Sequence, residues 1–370
     1  MHVLHLMQCT NLGGMEQATY RLMNKMSEEG RMHFNIVTPR PFGAGEPVLK
    51  TLDHQATDHQ CAGRFGWRSR RTLSETISRR SAGCSLIWVT GTCAASLVAS
   101  RTSPLPIILS HHYHHFESWK SWLRWRAFYE LLCRRLYKIV FPTQFSRDEA
   151  VRIAPWLDRK ATVIHNGVAP IDDSAENWER MRQRARQVLN IPADALVVGN
   201  AGWLIPRKRF DVFLQVASRI HKMRSGAVFV ICGGGPLEGE LRRMAAELGI
   251  ADSVRFEGWV RDLEPFYQAF DVLLFNSDYD TFGLTALEAA NHGAIVVASV
   301  RYGGLGEFIE HGINGFLFRQ HDIQAMADII LYLNETSTSV GIRKNARKKV
   351  HQQYDIGASA AQYKKLFNSC

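Results

Sequence analysis

The chain has 370 residues, of which 46% are apolar, and this is enough to fill the cores of two domains of ordinary size. Its seven cysteines are scattered and contain no C-x-x-C pair, which disfavours a disulfide framework or a zinc site and favours the reducing cytoplasm. The net charge of +10 lies in the first half, because residues 1–165 carry 22 Lys and Arg against 12 Asp and Glu, a bias typical of contact with an anionic partner.

The first half of the chain predicts alternating strands and helices. Residues 1–8 lack the basic start and long apolar stretch of a signal peptide, so we expect them to form a first strand. The uncharged run 81–100 is too polar to predict a membrane span. Further apolar runs, separated by amphipathic stretches, predict parallel β-α-β units; they lie at residues 34–38, 86–89, 107–110 and 139–142.

Two polar features follow predicted strands in this half. Gly13 and Gly14 lie between the first strand and the first helix, where glycine lets a ligand approach the backbone closely, although a plain tight turn is the alternative. A histidine cluster follows the strand at 107–110. The cluster comprises His111, His112, His114 and His115. We favour a position near the catalytic centre over a metal site or a surface loop, because no spacing of these histidines singles out metal ligands.

A stretch at residues 116–138 interleaves aromatic and basic side chains. Trp119, Trp122 and Trp125 alternate with Arg124 and Arg126. This mixture is typical of a phospholipid interface, where rings lie at headgroup depth and cations meet anionic lipid. Core contacts for the tryptophans and a solvated basic face for the cations are the alternatives.

A polar segment at residues 169–178 is the predicted linker, and a second series of strands follows it. Apolar runs at 196–199, 228–231, 254–256, 272–275 and 295–297 repeat the architecture of the first half. We therefore predict two α/β domains with parallel sheets. In such sheets the ligand crevice lies at the carboxyl ends of the strands.

Basic and glycine-rich turns follow the strands of the second half. Arg207, Lys208 and Arg209 close the first of them, and the compact lysine charge suits a departing diphosphate, with a basic turn that caps a helix as the alternative. The turn at residues 232–237 is interpreted as structural. The segment 254–260 is, taken alone, a short strand with a turn.

The most specific block spans residues 277–290, directly after an apolar strand. A polar turn with Gly283 followed by an Ala-rich helix predicts an anion site, since helix starts present unpaired N–H groups. Thr285 adds a hydroxyl, and the carboxylates of Asp280 and Glu288 suit the hydroxyls of sugar and ribose. A polar turn that merely caps a helix is the alternative. A metal site at Asp278 and Asp280 is discounted.

This block resembles the signature of the retaining family 4 glycosyltransferases, in which two glutamates separated by seven residues surround a Phe-Gly-Leu core. Asp280 stands at the position of the first glutamate. Residues 11–16, 202–209, 302–309 and 312–317 are similar to other segments of the family. The resemblance implies the GT-B fold, with two facing Rossmann-like domains. It implies an acceptor-binding domain at residues 1–170, onto which a C-terminal helix at 352–370 packs back, and a nucleotide-sugar-binding domain at 171–351.

The resemblance also implies roles for individual residues. The catalytic set is His112, with His111 as the fallback, together with Lys208 and Asp280. Trp203 and Arg209 stand where the family has arginine and glycine. The implied donor-binding residues are Gly13, Gly14, Arg207, Arg209, Val260, Phe282, Gly283, Leu284, Thr285 and Glu288.

The implied reaction is transfer of a hexose or related sugar, with retention, from a nucleotide-sugar to a saccharide. We expect a UDP-sugar donor, a lipid-linked acceptor in lipopolysaccharide or polysaccharide synthesis, no required cofactor or metal, and a cytoplasmic enzyme held on the anionic inner face of the membrane. A sugar-nucleotide epimerase of the same fold and a weakly catalytic binding protein are the alternatives. No motif supports nucleic acid as a partner.

Overall fold

A computed structural model describes residues 1–7, 13–28, 32–38, 56–58, 67–91, 97, 102–112, 118–171, 175–318, 321–335 and 338–370. Within it, residues 1–167 and 356–370 form one compact unit, and residues 168–355 form a second. Of the sequence features above, residues 11 and 12 of the glycine loop, two histidines of the cluster and the start of the Trp/Arg stretch lie outside the described residues. The acceptor and donor roles of the two predicted domains stay predictions.

The first unit is built on an all-parallel sheet of seven strands in the order β3-β2-β1-β4-β5-β6-β7. The strands are β1 (His2–Leu6), β2 (His33–Thr38), β3 (Ala56–Asp58), β4 (Leu86–Thr90), β5 (Ile107–Ser110), β6 (Lys138–Phe141) and β7 (Ala161–Val163). The helices of this unit are α1 (Gly14–Ser27), α2 (Trp67–Arg80), α3 (Trp119–Phe128), α4 (Gln144–Ile153) and α13 (Ile356–Asn368).

Hydrophobic side chains cover both faces of this sheet, because a parallel sheet with helices on each side is buried on both faces. Along β1, Leu4 and Leu6 enter one core and Val3 enters the other. Helix α13 contributes to the second core, where its Tyr363 ring lies 5.4 Å from that of Trp88. The Ser110 hydroxyl is 2.8 Å from the Tyr363 hydroxyl and also accepts a hydrogen bond from Trp88 Nε1. The segment 356–368 is therefore an integral part of the first unit.

The second unit is built on a six-stranded parallel sheet in the order β10-β9-β8-β11-β12-β13. Its strands are β8 (Val197–Ala201), β9 (Val228–Cys232), β10 (Val254–Gly258), β11 (Val272–Asp280), β12 (Ile295–Gly303) and β13 (Phe316–Phe318). Its helices are α5 (Ala175–Val188), α6 (Phe210–Met223), α7 (Glu238–Glu247), α8 (Glu264–Ala269), α9 (Leu284–Asn291), α10 (Leu305–Phe308), α11 (Ile323–Glu335) and α12 (Thr338–Gln353). The α/β class with parallel sheets is confirmed.

The strand order of the second sheet determines where a ligand can bind. From β8 the chain moves outward through β9 and β10, then returns to the other side of β8 with β11 and moves outward again through β12 and β13. Strands β8 and β11 thus flank a topological switch point, where the loops that follow them diverge and leave a crevice. The loop after β8 carries residues 202–209, and the last residues of β11 together with the turn that follows carry 277–283. The sequence singled out both segments.

Candidate functional site

The switch point brings together two of the predicted catalytic side chains, Lys208 and Asp280, and the predicted donor-binding side chain of Arg207. Lys208 Nζ donates a hydrogen bond of 2.6 Å to Asp280 Oδ2, and Arg207 Nη1 lies 3.7 Å from the same oxygen. The Arg207 guanidinium also lies 4.9 Å from the ring centroid of Tyr279 and donates to its carbonyl oxygen. Two cations therefore converge on one carboxylate at the carboxyl edge of the sheet.

The carboxylate of Asp280 has a second task at the start of α9. Its Oδ1 accepts hydrogen bonds from the backbone N–H groups of Phe282 at 3.3 Å and Gly283 at 2.8 Å. Burial opposes ionisation of Asp280, but the charges of Lys208 and Arg207, together with these hydrogen bonds, outweigh it and lower the pKa. Asp280 is ionised at neutral pH and joins the basic turn to the turn that opens α9.

Gly283 has the backbone conformation that this turn needs. It is the N-cap of α9 with φ +81° and ψ +49°, in the left-handed region that favours glycine. A Cβ there would approach Leu305 Cδ1 to 2.8 Å. Phe282 is buried 5.6 Å from the ring of Tyr354, and Leu284 packs against the same core. The side chains of Phe282 and Leu284 make core contacts. The donor contacts predicted for these two residues would therefore be made by their backbone atoms.

Arg209 faces other carboxylates. It donates to Asp211 at 2.8 Å and to Asp278 at 3.2 Å, and its backbone is left-handed with φ +47°. His321 Nε2 lies 3.3 Å from the same Asp278 oxygen. Of the two arginines beside Lys208, Arg207 thus lies at Asp280, whereas the Arg209 guanidinium is held by two other acids.

Glu288 is held by a residue that sequence reasoning missed. The hydroxyl of Tyr267 on α8 donates a 2.9 Å hydrogen bond to Glu288 Oε2, and the Thr285 hydroxyl also bonds to this tyrosine. Burial and the Glu288 charge raise the Tyr267 pKa well above its usual value, so the phenol stays protonated. An aromatic residue in a short apolar helix looks like core in a sequence, and no pattern marks its hydroxyl.

The other loops at the carboxyl edge of the second sheet are joined by backbone hydrogen bonds. Gly202 N–H donates to Cys232 O at 2.9 Å, and Gly233 N–H donates to Gly258 O at 2.6 Å. A Cβ on Gly233 would lie 1.9 Å from Gly202 O, so only glycine fits. Val260, one of the implied donor-binding residues, lies two positions after Gly258 and packs against the core from a partly buried position.

In the first unit, His112 lies at the carboxyl end of β5 and is partly buried. Burial lowers its pKa to about 4, so the imidazole is neutral at pH 7. His111 is fully buried among aromatic rings, with Nε2 3.3 Å from the Tyr129 hydroxyl. Of the two histidines, His112 is the one with solvent access.

The predicted glycine loop is described from Gly13 onward. Gly13 is the N-cap of α1 and Gly14 is its first residue. A Cβ on Gly13 would lie 2.7 Å from Glu16 Oε2, so this carboxylate lies over the turn. Burial raises the Glu16 pKa, against the lowering effect of the Glu16 and Gly13 backbone N–H groups. The Glu16 carboxylate therefore already lies at the start of α1, where the sequence predicts contact with a donor.

Helix α3 contains no buried residue. Trp119 is 69% exposed, and Trp122 is also exposed, with the Arg126 guanidinium 5.3 Å from its ring centroid. Trp125 differs, because it packs at the edge of the core with its ring 5.1 Å from that of His111. Arg124 is exposed. The exposure of Trp119 and Trp122 is compatible with the predicted phospholipid interface. Trp125 instead makes the core contacts that were the alternative.

The described residues contain neither a cluster of metal ligands nor a membrane-spanning helix. No group of three or more His, Cys, Asp and Glu side chains in this part of the chain is placed to hold a metal ion. No helix in the described ranges is long and apolar enough to cross a membrane.

Two family models match the chain. One described as "Glycosyltransferase Family 4" matches residues 12–170, and one described as "Glycosyl transferases group 1" matches residues 181–349. The D-inositol 3-phosphate glycosyltransferase of Saccharomonospora viridis is 33% identical over 205 residues, 52% of this chain and 46% of that protein. The poly(ribitol-phosphate) alpha-N-acetylglucosaminyltransferase of Staphylococcus aureus is 29% identical over 175 residues, 47% of this chain and 35% of that one. The chain thus spans about half the length, or less, of these curated relatives.

Solved structures share the fold along the whole chain. The Anabaena protein HepE in complex with UDP-glucose has a TM-score of 0.84 at 22% identity and covers 100% of both chains. TarM has a TM-score of 0.77 at 14% identity and covers 99% of this chain and 98% of its own. Each half of the chain thus resembles a glycosyltransferase model, and the chain as a whole has the GT-B fold that these structures share.

Proposed function

We propose that this chain is a retaining glycosyltransferase that moves a hexose or related sugar from a UDP-sugar to a saccharide acceptor. The observation that carries the proposal is the convergence of Lys208 and Arg207 on Asp280 at the switch point of the second sheet. The HepE structures contain UDP or UDP-glucose, which supports UDP-sugar as the first donor to test.

The contacts at the switch point suit stabilisation of a leaving group. As the glycosidic bond of the donor breaks, negative charge grows on the diphosphate, and fixed cations lower the energy of that state. Lys208 and Arg207 supply the cations, and the start of α9 adds the backbone N–H groups of Leu284 and Thr285. Before the donor binds, the hydrogen bond from Lys208 Nζ to Asp280 keeps the lysine side chain oriented. Asp280 then hydrogen-bonds sugar hydroxyls, and the proposal requires no metal or cofactor.

Glu288 suits the ribose of the donor. A carboxylate has two acceptor oxygens, each able to accept more than one hydrogen bond, and Tyr267 donates to Oε2 of this one in the structure. The Tyr267 bond fixes the rotamer of Glu288 through a neutral donor. His112, neutral at pH 7, is the proposed catalytic group of the first unit.

The acceptor in this proposal is a lipid-linked saccharide bound by the first unit, at the cytoplasmic face of the membrane. The excess positive charge of residues 1–165 and the exposed rings of Trp119 and Trp122 support contact with anionic lipid. A lipopolysaccharide core biosynthesis glycosyltransferase of Rhizobium meliloti is 33% identical over 145 residues, 39% of this chain and 41% of that protein. This supports a role in lipopolysaccharide or polysaccharide synthesis.

One experiment tests the donor and the reaction together. The purified protein is screened for thermal stabilisation by UDP-, GDP- and ADP-sugars, since a ligand that binds only the folded state raises the midpoint. The stabilising sugar nucleotide is then incubated with and without a saccharide acceptor, and the products are analysed by NMR. We expect a new glycoside with the anomeric configuration of the donor. An isomerised sugar nucleotide formed without acceptor would favour an epimerase instead.

A further inference from the structure

Arg209 has an unusual backbone conformation for a residue that carries a side chain. Its φ and ψ are both +47°, in the left-handed region, at the point where the short turn Pro206–Lys208 ends and α6 begins. In the part of the chain that the structure describes, the other left-handed residue besides glycine is Asn190, and asparagine tolerates this region better than arginine does. A residue such as Arg209 keeps this conformation only where surrounding contacts hold it.

The guanidinium of Arg209 makes such contacts. Its Nε donates to Asp211 Oδ1 at 2.9 Å and its Nη2 donates to Asp211 Oδ2 at 2.8 Å, which is the paired geometry of a strong ion pair. Its Nη1 donates to Asp278 Oδ1 on β11 at 3.2 Å. The side chain is thus held both by the first turn of α6 and by the neighbouring strand, and this restrains the backbone from which it projects.

Asp278 is itself held by a residue from another part of the second unit. His321 Nε2 lies 3.3 Å from Asp278 Oδ1, and His321 Nδ1 shares a hydrogen bond with the hydroxyl of Ser299 on β12. An ionised carboxylate only accepts hydrogen bonds, so this contact assigns the proton to Nε2, and Nδ1 of the neutral ring then accepts from Ser299. Both ring nitrogens are used, and the ring is fixed against Asp278.

These contacts lie one residue away from the lysine of the proposed mechanism. Lys208 Nζ donates to Asp280 at 2.6 Å, and Arg209 donates to Asp278, two residues earlier on the same strand. Consecutive residues of the turn are therefore bound by alternate carboxylates of β11. Rotation of the Arg209 backbone out of the left-handed region would change the direction in which the turn approaches β11, and the Lys208 ammonium would move with it.

We propose that Arg209 is a positioning residue for Lys208, an inference that rests on the proposed function. Its guanidinium, held by Asp211 and Asp278, keeps a strained backbone in the conformation that directs Lys208 to the donor diphosphate. His321 acts one step further away, because it keeps Asp278 in place. Glycine adopts the left-handed region freely and needs no such anchor. Alanine meets the same strain as arginine without the side chain that compensates for it.

Steady-state kinetics of Arg209→Ala and Arg209→Gly with the stabilising sugar nucleotide test this role. A misplaced Lys208 loses an interaction that grows in the transition state, so Arg209→Ala should lower kcat about ten-fold, with a smaller change in the donor KM. Arg209→Gly should recover most of that loss. It should also melt at a higher temperature than Arg209→Ala, a comparison that does not depend on the reaction. Arg219→Ala, at an exposed position on α6, is the matched control and should behave as wild type.

Variants of the anchors test the same role without changing residue 209. Asp278→Ala should lower kcat in the wild-type background, and His321→Ala should lower it less. Neither substitution should lower kcat much further in the Arg209→Gly background, because glycine needs no anchor, and this non-additivity is the sign that the residues act through one another. A full further loss in the double variants would overturn the inference.

The remaining outcomes separate this role from the proposed function. Equal loss of kcat in Arg209→Ala and Arg209→Gly would show that the guanidinium itself acts on the donor, and would overturn the positioning role while leaving the proposed function standing. Wild-type kcat in Arg209→Ala would do the same. Wild-type protein that transfers sugar from none of the tested nucleotides would overturn the proposed function, and this inference with it.

Discussion

At the scale of single residues, Lys208 is the side chain whose removal should most affect turnover. Because charge on the diphosphate grows as the sugar departs, Lys208→Ala should lower kcat by about 100-fold or more, with a smaller change in the donor KM. Steady-state kinetics with the identified donor measure both. Lys222→Ala, at an exposed position near the end of α6, is the matched control. A rise in KM alone, at wild-type kcat, would make Lys208 a binding residue.

Glu288 should instead act on donor binding. Glu288→Gln keeps an oxygen that accepts from the Tyr267 hydroxyl, so we expect the fold to survive. It removes a charge-assisted hydrogen bond to the donor, which costs roughly 1.5–3 kcal/mol and weakens the donor Kd by about ten-fold or more. Calorimetry measures the Kd, and the melting temperature shows whether the fold is intact. A wild-type Kd in this variant would contradict the assignment to the ribose.

At the scale of elements, α3 should determine membrane binding. Arg124→Glu with Arg126→Glu reverses two charges beside the exposed Trp122, and each basic residue near anionic lipid contributes about 1 kcal/mol. In flotation with vesicles that contain anionic lipid, the double variant should already be unbound at low salt. The wild type should bind at low salt and dissociate only at high salt. Arg134→Glu is a weaker control, since Arg134 already pairs with Glu130. Wild-type protein that stays unbound at low salt would contradict membrane docking.

Elements also show how far a sequence predicts this fold and site. Strands β1, β4, β8 and β11 are mostly buried and each contains an apolar run, so they are predicted. The edge strands β3, β7 and β13 have three residues each and too little pattern to be recognised. The residue types at the switch point are also predictable. Their partners are not, because the Lys208–Asp280 bond joins positions 72 apart through strand order and packing.

At the scale of the whole molecule, His112 couples folding to pH. The folded chain holds its pKa at about 4, below the ordinary value of 6.5, so between these values the unfolded chain binds a proton that the folded chain does not. The free energy of unfolding should therefore fall by about 2 kcal/mol between pH 7 and pH 5 through this group. Denaturant titrations at both pH values measure it. His112→Asn should reduce the difference by this amount, and an unchanged difference would contradict the shift.

The path of the chain through the first unit sets an order of events during synthesis. Residues 1–167 leave the ribosome first, yet their second core lacks Tyr363 and Phe367 until α13 has been made. The whole of the second unit, residues 168–355, emerges in between and contains everything its own cores need. Nascent chains that stop after Asp355 should contain a second unit that resists protease and a first unit that is digested. Of the two units, the one whose synthesis starts earlier is therefore the one that finishes folding last.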